Sequence, residues 1–119
     1  MPYETILLSE KSQSRFKVQG VGYAEIHIQV TPSEARDVQI DTESVSSEIP
    51  AEFLRGFVEG IMECASEGVI AGNPIKHVKV KLLNVGMHRR DSNGESFKRS
   101  AYDAFRWLLR GAHPVVVDE

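Results

Sequence analysis

Tyr23-Ala24-Glu25-Ile26-His27-Ile28-Gln29-Val30 alternates apolar and polar residues without a break. Successive side chains of an extended chain point to opposite faces, so Ala24, Ile26, Ile28 and Val30 line one side of a strand and Tyr23, Glu25, His27 and Gln29 the other. A strand divided in this way buries one side only, and that side needs a second layer to cover it. Upstream, Thr5 to Ser9 is a short apolar strand and Arg15 to Val18 reads as its neighbour, with Gly20 and Gly22 supplying a turn or bulge. Downstream, the loop Thr31 to Asp37 leads to a third strand, Val38 to Thr42.

The covering layer is written in the second half of the chain. Pro50 suits the first position of a helix, where its missing N–H costs least. Leu54, Phe57, Val58, Ile61, Met62 and Ala65 then recur at helical spacing as a core stripe, and Gly68 ends the helix in a left-handed cap. Ile75 to Leu83 alternates again, with Val78, Val80 and Leu82 inward and His77, Lys79 and Lys81 outward. Ser92 and Glu95 have the spacing of a capping box, placing a second helix from near Asn93. Its stripe is Phe97, Ala101, Ala104, Phe105, Leu108 and Leu109. Gly111 ends it, and Pro114 to Val117 forms a last strand. The predicted fold is an α+β sandwich, with both helices on one face of a mainly antiparallel sheet of four to five strands. A chain of 119 residues fits one domain spanning 1–119.

Composition removes several functional classes. No apolar run approaches the roughly 20 residues that cross a bilayer, and Met1-Pro2-Tyr3-Glu4 lacks the layout of a signal peptide, so a soluble cytoplasmic protein with no membrane partner is expected. A single cysteine, Cys64, excludes an internal disulfide and an all-cysteine metal cage. There is no G-x-x-x-x-G-K-[S/T] phosphate loop, and Gly20-Val21-Gly22 does not extend to G-x-G-x-x-G. The four histidines form no H-E-x-x-H pair; His27 and His77 read as surface residues and His113 as a helix-end residue. Ser92 is accounted for by capping and has no credible triad. The expectation is a protein with no catalytic residues, metal or cofactor.

Charge is unevenly distributed. Glu34 to Glu67 holds nine acids and two bases, a net −7, while Lys76 to Arg110 holds nine bases and three acids, a net +6. Such polarity orients a module on a charged partner, or marks two solvated surfaces that attract each other. Within the basic half, Gly86-Met87-His88-Arg89-Arg90-Asp91 joins a strand end to a helix start. Its guanidiniums can grip phosphate through paired hydrogen bonds and its imidazole can stack on a base, so it is either an RNA contact or a plain solvated loop.

From Glu48 onward the chain resembles the fourth domain of bacterial elongation factor G. The landmarks are Ile49-Pro50 with Glu52 and Phe53, Gly60-Ile61, the turn Gly68-Val69-Ile70-Ala71-Gly72-Asn73-Pro74, His88, Asp91-Ser92, Phe97-Lys98 and Pro114-Val115. Tyr3 to Ile6 and Tyr23 to Pro32 resemble that family's earlier strands. The resemblance implies a ribosomal protein S5 domain 2-like fold with a left-handed βαβ crossover. It also implies a tip that enters the decoding region of the small ribosomal subunit and meets transfer and messenger RNA. His88 falls on the family's tip histidine, so Met87, His88, Arg89 and Arg90 are the candidate tip contacts, with Lys79, Lys81 and Arg36 as supporting bases. The loop Pro32 to Asp37 stands for the family's first tip loop, shorter and without its glycines. The expected function is a ribosome-associated, RNA-contacting module without a GTPase. The alternative is a structural or protein-interaction domain, homo-oligomeric through a sheet edge or its opposite charges.

Overall fold

The computed structural model describes residues 1–7, 10–18, 22–45, 49–87, 90 and 92–118, with the main chain alone at 10–18 and 22. In chain order the elements are β1 (Pro2–Thr5), β2 (Glu10–Val18), β3 (Gly22–Pro32), β4 (Gln39–Asp41), α1 (Ala51–Glu67), β5 (Val78–Gly86), α2 (Gly94–Gly111) and β6 (Val115–Asp118). Four strands form the main sheet in the order β2-β3-β5-β4, antiparallel except for the β4 and β5 pair. Because β4 and β5 run parallel, the chain must cross back between them, and α1 is that crossover. The architecture is the α+β, S5 domain 2-like fold expected from the sequence.

Alternation in β3 and β5 builds the floor of the core. Ala24, Ile26, Ile28, Val30, Val78, Val80 and Leu82 are fully buried, and they pack in one cluster with Phe57 and Ile61 of α1 and Phe97, Phe105 and Leu109 of α2. The helices approach each other closely. A methyl group built on Gly56 would meet Gly94 O at 2.1 Å, and one on Gly60 would meet Lys98 O at 2.2 Å, so only glycine allows this crossing. That contact displaces part of the expected stripe. Val58 and Met62 are exposed rather than core, and Gly56, Gly60 and Cys64 take the buried positions. Among the described residues no helix is long and apolar enough to cross a membrane.

Several local expectations are corrected. β1 does not neighbour β2; it pairs antiparallel with β6, and β2 pairs with β3 as a hairpin. Local pattern reveals a strand but not its distant partner. The predicted strand Thr5 to Ser9 shifts to Pro2–Thr5, and Ser9 lies outside the described residues, as does Gly20 in the predicted turn. β3 continues through Thr31 and Pro32 instead of giving way to a loop at Thr31. Pro50 precedes the first turn of α1 as its N-cap. The capping box uses Asn93 and Ser96, one residue beyond Ser92 and Glu95: the Asn93 side chain accepts from Ser96 N at 2.7 Å and Ser96 Oγ accepts from Asn93 N at 3.0 Å. Gly68 has a positive φ of 78° with ψ at 174°, which is not the left-handed helical cap. His77 lies just before β5, in a left-handed backbone conformation (φ 58°), with its ring against Tyr3 and its Nδ1 3.2 Å from Ser33 O.

Candidate nucleic-acid interface

The path of β5 decides where its following loop is aimed. Ile28 pairs with Leu82, but His27 pairs with Asn84, so Leu83 is an extra residue in the strand. Without it, strict alternation would turn Asn84 inward. With it, Val85 packs on the core, Asn84 is exposed opposite His27, and Gly86 lies beside Glu25. The spacing of Val78, Val80 and Leu82, and then Val85 after a gap of three, is the sequence signal for this bulge.

The chain leaves β5 outward. Met87 is 41% exposed and Arg90 is exposed, whereas His88 and Arg89 lie outside the described residues. On its return the loop is fastened to the start of β3. Ser92 Oγ donates to Tyr23 O at 2.8 Å and Ser96 Oγ donates to the same oxygen at 3.2 Å. Ser92 is therefore a tether rather than a cap. Glu25 completes the base of the loop, accepting from Tyr23 Oη at 2.9 Å and lying 3.1 Å from His27 Nε2.

The supporting bases stand apart from this loop. Lys79 is exposed and Lys81 half-buried on the sheet face turned away from the helices, opposite Thr31 and Gln29. Gly86 lies seven positions beyond Lys79, roughly 23 Å along an extended strand. Arg36 is exposed in the loop after β3, where its carbonyl accepts from His77 N at 3.0 Å. The antiparallel register puts this loop at the opposite end of the sheet from Met87 and Arg90. The loop from Pro32 to Asp37 thus shares no tip with Met87; the paired strand ends Val18 and Gly22 lie toward that end instead.

The sequence concealed a thoroughly bonded acid among the described residues. Glu4, fully buried, takes four backbone N–H donors, from Val69 (2.6 Å), Ile70 (2.8 Å), Ala71 (2.9 Å) and Asn73 (2.9 Å). Burial pushes its carboxyl up, but the four donors outweigh that and hold it below its ordinary value. A methyl group on Gly68 would fall 2.3 Å from Asn73 O and 2.6 Å from Glu4 Oε2, which explains the glycine that opens this turn. The Gly68 to Pro74 motif is therefore a cradle for an internal anion. Cys64 is equally inert, since burial pushes its thiol up to about 12.

Comparison with known proteins agrees with this geometry. The family model described as "Elongation factor G, domain IV" matches residues 2–113. Among solved structures, a crystal structure from Thermus thermophilus is similar, with 28% identity and a TM-score of 0.81 over 97% of this chain. The match spans 18% of that much longer chain.

Proposed function

We propose, because the chain belongs to the elongation factor G domain IV family, that it acts as a ribosome-associated, RNA-contacting translation-factor module. Its 119 residues work as a single non-catalytic cytoplasmic domain without GTPase activity. The partners are the small ribosomal subunit and the transfer or messenger RNA bound there. Met87, His88, Arg89 and Arg90 form the contacting tip, and Lys79, Lys81 and Arg36 are basic contacts elsewhere on the domain. The observation that carries this reading is the exposure of Met87 and Arg90 on a loop fastened at both sides, by Gly86 in β5 and by Ser92 on Tyr23. An exposed guanidinium at Arg90 is free to meet a phosphate from outside. Co-sedimentation with small subunits across a salt series tests it: binding should weaken as salt rises and weaken further in the His88→Ala, Arg89→Ala, Arg90→Ala variant.

A second reading, a protein-interaction domain, is favoured by Trp107, which is 77% exposed on α2. Exposed tryptophan is a typical anchor of protein interfaces. Light scattering, together with pull-downs treated with and without ribonuclease, separates the two: self-assembly with no RNA-dependent partner supports the second.

A further inference from the structure

Strand pairing leaves β1 outside the main sheet. It is absent from the order β2-β3-β5-β4 and lies instead between two segments that come much later in the chain. On one side Pro2 to Thr5 pair antiparallel with Asp118 to Val115 of β6. On the other, Glu4 N donates to Pro74 O at 2.9 Å and Glu4 O accepts from Lys76 N at 3.0 Å, a parallel bridge centred on Ile75. The Glu4 carboxylate enters the cradle from Val69 to Asn73, and the ring centroids of Tyr3 and His77 are 5.4 Å apart.

All of these partners are remote in sequence. The first of them, Val69, stands 65 positions from Glu4. The groove that receives β1 is thus built by residues 69–77 and 115–118, and its bonds are the same whichever copy of the chain supplies the strand. What the strand carries does matter. Buried N–H groups without an acceptor are costly, so the occupant needs an acid facing residues 69–73 within an extended segment bonded along both edges. β1 meets that requirement, in its own chain or in another.

We propose that β1 exchanges between two copies of this chain, with Glu4 of each copy entering the Val69 to Asn73 cradle of the other. Exchange of an identical element keeps the bonds of the closed monomer and generates a two-fold dimer at low cost. Each cradle is then completed by a residue of the second copy. The four-stranded sheet keeps its order, because β1 has no place in it, and the exchange does not rest on the RNA reading. Within one chain the tethered strand competes at an effective concentration on the order of millimolar, so the exchanged form gathers as the protein approaches that range.

The register supplies the test. Thr5 is the partner of Val115, and a directly opposed cross-strand pair has a Cα separation that a disulfide can span. Thr5 Oγ1 is buried with no hydrogen-bond partner among the described residues, so a thiol there displaces no bond. Full-length Thr5→Cys and Val115→Cys chains are held together at about 1 mM, oxidised and run on a non-reducing gel. Cys64 is buried in both, and each chain oxidised alone gives the background. The mixture should yield several times more covalent dimer than either chain alone, and adding Glu4→Gln to the Thr5→Cys chain should remove most of that excess. No excess over the separate chains would overturn the proposal, as would a dimer in light scattering that lacks the cross-link. Circular dichroism checks that the variants are folded; if either is not, the register pair Tyr3→Cys and Val117→Cys decides in its place.

Discussion

The two loops that flank β5 use their polar groups in opposite ways. The loop before it, Gly68 to Pro74, turns four backbone N–H groups inward onto Glu4. The loop after it leaves Met87 and Arg90 in solvent and returns to the fold at Ser92, which is bonded to Tyr23 O. One loop is an anion site already filled by the protein's own carboxylate; the other offers cations to an anion from outside. The same strand thus carries a structural latch at one end and a presented loop at the other, and substitutions at the two ends should have separable effects.

The largest effect is expected at the latch. Glu4→Gln removes the charge and turns an amide NH2 toward backbone donors, leaving buried N–H groups unpaired at a cost on the order of 3 kcal/mol. Chemical denaturation should show this as a lower midpoint, while Met87→Ala with Arg90→Ala stays within about 0.5 kcal/mol of wild type. Equal losses at both ends would erase the contrast. The latch also has a pH signature. The folded carboxyl titrates below its ordinary value of 4.5, so its stabilisation is complete above that value and disappears as pH falls through the lower, folded value. The gap between wild type and Glu4→Gln should therefore shrink on acidification well below 4.5. A gap that widened would mean the sign is wrong.

Gly60→Ala comes next. A better helix former gains about 1 kcal/mol, but a methyl group 2.2 Å from Lys98 O must push α1 from α2, and overpacking costs about 1–3 kcal/mol. Net destabilisation near 1 kcal/mol, roughly the difference of those two effects and read from thermal unfolding, is expected. Asn93→Ala should cost a similar or smaller amount, about 1 kcal/mol, through loss of the cap on Ser96 N.

How much was legible in the sequence follows from the range of the forces involved. The inward sets Ala24, Ile26, Ile28, Val30 and Val78, Val80, Leu82 were readable because burial on one sheet face imposes a period of two. The stripe from Phe97 to Leu109 was readable for the corresponding helical reason, and every residue named in it is buried. The partner of β1 was not readable, since pairing with β6 links the two ends of the chain. Glu4 was hidden because an acid near the start of a chain looks solvated until the distant donors at 69–73 are placed around it. Val58 and Met62 were misassigned because glycines can carry a helix contact that apolarity does not mark. For the tip, the sequence located the strand-to-helix loop, but the separation of Arg36 and Lys79 from Met87 required the register.

The most direct test of the proposed tip is sedimentation with purified small ribosomal subunits at low and moderate salt. The account predicts salt-sensitive binding by the wild type, a large loss with His88→Ala, Arg89→Ala and Arg90→Ala together, and retained binding after a substitution at an exposed position of α1, such as Glu59→Ala. Undiminished binding by the triple variant would contradict it.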